Sequence, residues 1–296
     1  MKSLKFFAVL SLLILYGCQI NYPLLQPWKN DPDRRNFSWK EKEDSIHLKI
    51  LGENLQPVFF KNKDSLQRNF TITSYFFNGN NGRKINAWLL QPKSKIADKS
   101  VFALHGNAGN LNTQLGFFSN LTDFGFQVFI FDYAGFGYSE GKPTRKAALE
   151  DSFSAFEFFR NLDQVKSTSK IIYGQSIGGN FAIPVATQNQ GEIAGLVLEG
   201  TFLQTDDIAN HYFPVLGRVA LKNNFDNKLN IKSFKKPVLV IHSNEDKVVP
   251  EKLGRKLFEN ANEPKSFLEI GKCHICGIKF YGEEIASRIG EVIFGN

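Results

Sequence analysis

The sequence predicts an α/β fold, with a mostly parallel central sheet covered by helices on both faces. Three observations carry this. Short apolar runs recur at residues 101–104, 128–131, 171–173, 196–198, 238–241 and 267–270, separated by helix-length segments. Runs that are apolar throughout, rather than alternating, belong to strands buried on both faces. The third run passes directly into Gly174-Gln175-Ser176-Ile177-Gly178 and then a helical stretch, 179–189, so a glycine-flanked serine sits on a strand-to-helix turn.

Taken in order, the chain opens with Lys2 and Lys5 and an apolar run from Phe6 to Leu15, the pattern of an export signal. The run is about ten residues, short of the about twenty a spanning helix needs. Leu15-Tyr16-Gly17-Cys18 resembles the lipobox of bacterial lipoproteins, with Tyr16 larger than the residue usual at its position. The resemblance implies acylation of Cys18, cleavage before it and a membrane anchor in the bacterial cell envelope. Gln19, not Asp, follows Cys18, so inner-membrane retention is not signalled and the outer membrane is the expected address. The expected organisation is a signal peptide over 1–17, a tether and short lead-in element over 18–65, and a catalytic domain over 66–296.

Residues 70–92 alternate in strand fashion on either side of Asn78-Gly79-Asn80-Asn81-Gly82, whose residue types supply the positive φ angles of a hairpin. The stretch 201–236, between the fourth and fifth apolar runs, is long for a crossover and carries Phe202, Tyr212, Phe213, Leu216 and Phe225. A small cap is expected there, its aromatics either packing the core or lining an acyl pocket. The formal charge is +7, but Lys and Arg are scattered through polar loops, and nucleic-acid binding is not expected.

A serine hydroxyl at neutral pH needs a base, itself oriented by an acid. Where a serine occupies this kind of turn the chain order is Ser, acid, His. Of the five histidines, His47 and His105 precede Ser176, His211 lies in the expected cap and His242 in a strand before the acid. His274 is left as the base. Asp246, in the loop after run 238–241, is the expected acid, with Glu245 a near rival and Glu199 a distant one. Two backbone N–H groups should face the developing oxyanion, one from Ile177 and one from Asn107 in the turn His105-Gly106-Asn107-Ala108-Gly109-Asn110. His105 reads as a buttress of that turn. Gly135-Phe136-Gly137 begins like a dinucleotide fingerprint, but Glu140 takes the last glycine position and no nucleotide cofactor is expected.

Those motifs, with Asp132-Tyr133-Ala134-Gly135-Phe136-Gly137-Tyr138-Ser139 and Asn244-Glu245-Asp246, make residues 70–290 resemble the α/β-hydrolase superfamily, within it the Bem46-like and ABHD17-like serine hydrolases. The resemblance implies the α/β-hydrolase fold, a serine hydrolase with a Ser-His-Asp triad, and no metal or cofactor. One departure is Cys273-His274-Ile275-Cys276, where the family has a small residue before the base and Asn or Asp after it. The two cysteines are bystanders, a disulfide or redox control, or metal ligands. The expected activity is cleavage of a small acyl ester or thioester through an acyl-enzyme, with palmitate on the protein's own anchor. The alternatives are a serine peptidase or amidase of the same fold, and a non-catalytic envelope binding lipoprotein.

Overall fold

The computed structural model describes residues 25–41, 44–62, 64–212 and 225–295. Cys18 and its apolar run lie outside the described residues, as do Phe213 and Leu216 of the expected cap. The described chain begins with a two-residue strand, β1 (Gln26–Pro27), and then β2 (Asn36–Glu41), β3 (Asp44–Leu51), β4 (Gln56–Lys61) and β5 (Asp64–Ser65), which form a four-stranded antiparallel sheet. This segment, expected as tether and lead-in, is thus largely sheet. Its period is two: Ile46, Leu48 and Ile50 of β3 point one way into the core, while the residues between them point outward.

The hairpin follows as β6 (Phe70–Asn78) and β7 (Lys84–Pro92), closed by a 3-10 turn in which Asn81 and Gly82 take the positive φ angles expected of them. Next come β8 (Lys99–Leu104), the short β9 (Ala108–Gly109), β10 (Phe126–Phe131), β11 (Ser169–Gln175), β12 (Gly195–Glu199), β13 (Val238–Ser243) and β14 (Lys265–Ile270). The eight-stranded sheet runs β14-β13-β12-β11-β8-β10-β7-β6, parallel from β14 to β10 and antiparallel at the hairpin. All six apolar runs of the sequence are strands of this sheet.

The described helices are α1 (Leu111–Phe118), α2 (Arg145–Arg160), α3 (Ile177–Gln188), α4 (Thr205–Tyr212), α5 (Asn227–Ser233), α6 (Glu251–Asn260) and α7 (Gly277–Ile289). Alternate residues of each strand feed different cores. Phe102, Phe129 and Ile172 pack with Phe156 and Phe159 of α2 and Phe181 of α3. Val101, Val128 and Tyr173 pack with Phe118 of α1, Ile285 and Ile289 of α7, and Leu48 of β3. Burying one such side chain contributes about 1.5–3 kcal/mol, so the antiparallel sheet is tied to the body by the same force that holds the helices on. The expected cap is represented among the described residues by α4 and α5. Phe202 is 3% exposed within the first core and Phe225 packs against Phe181, so both are core residues rather than pocket lining.

Candidate active site

Ser176 stands between β11 and α3 with φ 53° and ψ −125°, a left-handed conformation that costs an L-residue about 1–3 kcal/mol. Hydrogen bonds hold it there: its N–H donates to the Glu199 carbonyl at 2.9 Å, and its own carbonyl accepts from Thr201 Oγ1 at 2.6 Å. Close approach explains the glycine two residues on. A β-carbon at Gly178 would lie 2.2 Å from the Leu104 carbonyl oxygen and 2.4 Å from that of His105, both backbone atoms. Only glycine lets α3 start so near β8 and the turn after it.

Asp246 and His274 meet directly. His274 Nδ1 lies 2.6 Å from Asp246 Oδ2, while Asp246 Oδ1 accepts the N–H groups of Val248 and Val249, each at 2.8 Å. Burial alone would raise the Asp246 pKa, but hydrogen bonds from His242 and His274, the His274 charge and the Val249 N–H outweigh it and hold the carboxyl well below the usual range. His274 lies over Gly200, whose φ of +55° turns the chain beneath it; a β-carbon there would sit 3.2 Å from both Cε1 and Nδ1 of the ring. Gly200 joins Glu199 to Thr201, the residues that clasp Ser176, so one bend after β12 positions both serine and histidine. No hydrogen bond joins Ser176 and His274 among the described residues. In ligand-free sites such bonds are commonly long and tighten when substrate binds.

The third component, the turn 105–110, lies against the serine: a β-carbon at Gly106 would be 3.4 Å from Ser176 Cβ and 3.5 Å from Ile275 Cδ1. Ile177 follows Ser176 as the first residue of α3, and Asn107 follows Gly106, the residue of the turn that lies against the serine. His105 Nδ1 is 2.8 Å from the Gly106 carbonyl, which can only accept, so this nitrogen carries the proton. Its ring packs on Tyr133, whose hydroxyl donates to the His105 carbonyl at 2.9 Å. Complete burial lowers the His105 pKa to about 4, so it is neutral at pH 7. The turn is held from outside by residues 25–30. Gln26 pairs with Ala108 and Pro27 with Gly109, the Trp28 N–H donates to the Gly109 carbonyl, and Asn110 Nδ2 donates to the Trp28 carbonyl.

Neither rival acid is hydrogen-bonded to His274 among the described residues. Glu199 is buried, with Oε2 accepting from Tyr173 Oη at 2.8 Å and Gln175 Nε2 at 2.7 Å, and Oε1 from the Gly277 N–H at 2.7 Å. Glu245 is exposed. Residue-by-residue reading missed His242, which is fully buried beside the acid. Its Nε2 donates to the Val249 carbonyl at 2.8 Å and lies 3.5 Å from Asp246 Oδ2. Its place at the end of the strand that leads into the acid loop, four residues before Asp246, was the available signal. Cys273 and Cys276 are joined as a disulfide that brackets the histidine. Among the described residues no cluster of three His, Cys, Asp or Glu is arranged to hold a metal, and no helix is long and apolar enough to cross a membrane.

Fold and site together define a class, and the chain belongs to the α/β-hydrolase family. Residues 95–233 match the family described as serine aminopeptidase, S33. The YfhR protein of Escherichia coli O157:H7 is 33% identical over 206 residues, covering 68% of this chain and 72% of that one. The bem46 protein of Schizosaccharomyces pombe is 33% identical over 201 residues, covering 65% of this chain and 62% of that one. A solved esterase of Pyrococcus furiosus superposes with a TM-score of 0.60 at 19% identity, over 75% of this chain and 91% of its own, and shares the fold.

Proposed function

We infer that this chain is a lipid-anchored serine hydrolase that cleaves an ester or thioester bond through an acyl-enzyme. The observation that carries the reading is the 2.6 Å contact between His274 Nδ1 and Asp246 Oδ2, on the same bend that clasps the left-handed Ser176. Asp246 keeps the proton on Nδ1 and leaves the Nε2 lone pair to act as base. Ser176 Oγ attacks the carbonyl carbon and passes its proton to Nε2, while the N–H groups of Ile177 and Asn107 receive the charge on the former carbonyl oxygen. Loss of one such donor typically costs about 2.7–4 kcal/mol. As the intermediate collapses, the departing alcohol or thiol takes the proton from His274 and the acyl group stays on Ser176. Water, deprotonated by the same nitrogen, then attacks the acyl carbon; the proton returns to Oγ and the carboxylic acid leaves.

The test is hydrolysis of p-nitrophenyl esters across acyl chain lengths by the wild type and Ser176→Ala. Activity that the substitution abolishes supports the reading, and the chain-length optimum defines the acyl pocket. Labelling of Ser176 by a fluorophosphonate probe separates a catalyst from a binding protein of the same fold, which would not be labelled. The S33 family description favours a second reading, a peptidase; faster turnover of aminoacyl amides than of acyl esters would select it. For the anchor, palmitate labelling should disappear in Cys18→Ala and the protein should leave the membrane. Unchanged membrane retention in that variant would count against lipidation at Cys18.

A further inference from the structure

Away from Ser176, a groove of about 1030 Å³ runs between the antiparallel sheet, the segment 28–34 and helix α1. Its walls combine two chemistries. Trp28, Phe37, Trp39 and Phe117 give it an aromatic lining, and Trp28 is 61% exposed. Lys29, Arg34, Arg68 and Lys279 set cations around it, against the single carboxylate of Asp123, which already accepts a hydrogen bond from Asn69. The Arg34 guanidinium lies 4.8 Å from the centre of the Phe37 ring, so charge and aromatic surface adjoin. Among the described residues no carboxylate stands within ion-pair distance of Arg34 or Lys279.

Helix α1 adds an independent observation. Gly116 lies in this eight-residue helix, where glycine destabilises by about 0.5–1 kcal/mol relative to alanine. No backbone requirement explains it, since Gly116 is helical and a β-carbon there would meet nothing within 4 Å. Gly116 is one of the residues that line the groove, so the helix presents no side chain to it at this position. An aromatic channel rimmed by cations complements one kind of molecule: a chain of apolar carbon ending in an anionic head.

We propose that this groove binds a single anionic amphiphile, an acyl chain carrying a phosphate or carboxylate head, at a site separate from the one that holds Ser176. The acyl chain lies along Phe37, Trp39 and Phe117, and the head sits among Arg34, Lys29 and Lys279. The ligand rests on residues 28–30, which hold Gly109 and Asn110 at the end of the turn 105–110.

The experiment is native mass spectrometry on the full chain carrying Ser176→Ala, so that ester probes survive. The protein is offered an equimolar mixture of dioleoyl phosphatidylglycerol and dioleoyl phosphatidylcholine, and separately oleate. One bound anionic molecule per chain is expected, preferred over the zwitterionic lipid by about tenfold or more. Its mass tells a phospholipid from a free fatty acid. Gly116→Phe fills the groove from the helix, and the pair Arg34→Glu with Lys279→Glu inverts the rim; each should lower occupancy by about tenfold. Both changes lie at exposed positions, and in the Ser176 background each should leave hydrolysis of a short ester within about twofold. Equal retention of both phospholipids with no oleate bound, or occupancy unchanged by both sets of substitutions, overturns the proposal. Binding is read without turnover, so failure of the hydrolase reading would leave this test standing.

Discussion

Replacing Asp246 by Asn tests the proposed chemistry most directly, because the surroundings of the carboxylate dictate which way an amide must turn. The carboxylate accepts on both sides: Oδ1 from the Val248 and Val249 N–H groups, Oδ2 from His274 Nδ1. An asparagine has one oxygen to offer. Turned toward His274, it would set its NH₂ against two backbone donors, losing two hydrogen bonds of about 1 kcal/mol each and leaving buried N–H groups unpaired at about 1–3 kcal/mol apiece. The opposite orientation keeps both backbone bonds and points the NH₂ at Nδ1. His274 must then accept at Nδ1 and carry its proton on Nε2, the nitrogen that should receive the proton of Ser176. Fold and substrate binding survive while the base is in the wrong tautomer, so kcat should fall by about 10³–10⁴, or about 4–5.5 kcal/mol, with KM within severalfold. Steady-state hydrolysis of a p-nitrophenyl ester reads the first quantity and the fluorophosphonate labelling rate should fall in parallel. A variant that retains more than a tenth of wild-type kcat would refute the assignment of Asp246 as the orienting acid.

Further outcomes are expected. His105 binds a proton less readily when folded, at a pKa of about 4, than in the unfolded chain, so its contribution favours folding above pH 6.5 and is lost as pH falls toward 4. The span is worth about 3 kcal/mol, and urea unfolding at pH 7 and pH 4.5 should show a shallower loss in His105→Gln than in the wild type; equal slopes would count against it. Asp246 acts in the same sense at lower pH: its depressed carboxyl stabilises the fold above the ordinary Asp range and ceases to do so as pH drops through the folded value. Asp246→Asn should therefore flatten the acid limb of a denaturation curve below about pH 4. Gly178→Ala drives a β-carbon into two backbone carbonyls and should cost about 1–3 kcal/mol or more by thermal unfolding, with ester turnover falling further than stability explains. Replacing Cys273 and Cys276 together by Ser opens a very short loop, worth at most about 2 kcal/mol, and should leave turnover within severalfold; near-complete loss of activity would give the disulfide a direct part in holding His274.

The central sheet was legible because strands buried on both faces leave an unbroken apolar signature, and all six runs became strands. The serine turn was legible for a different reason: steric crowding at Ser176 admits little but glycine at Gly178, so the geometry is written in the residue type. The antiparallel sheet over 36–65 was harder to see. Its strands are short, alternate with charged residues and gain their stability from Leu48 and its neighbours packing on a distant part of the chain. His242 and Glu199 illustrate the other limit. The burial of His242 beside the acid depends on β13 lying between β12 and β14, and the glutamate shared by Tyr173, Gln175 and Gly277 is decided by β11 and β12 lying side by side although a helix-length segment separates them in the sequence. The aromatics at Phe202 and Phe225 were ambiguous between pocket and core because hydrophobicity alone is the same in both places.

Residues 25–30 are stitched to the turn that carries Asn107, and this fixes where the molecule can stand relative to whatever holds its N-terminus. An anchor at Cys18 would be seven residues from Leu25, a leash of at most about 25 Å when fully drawn out. That is less than the thickness of a bilayer with its headgroups. The protein would therefore be moored beside its candidate site, unable to range far into the surrounding fluid, and the edge of its working face at Leu25 would stay within about 25 Å of the lipid attachment. Shortening the leash would press that face toward the membrane, and lengthening it would widen the shell of substrate the site can reach.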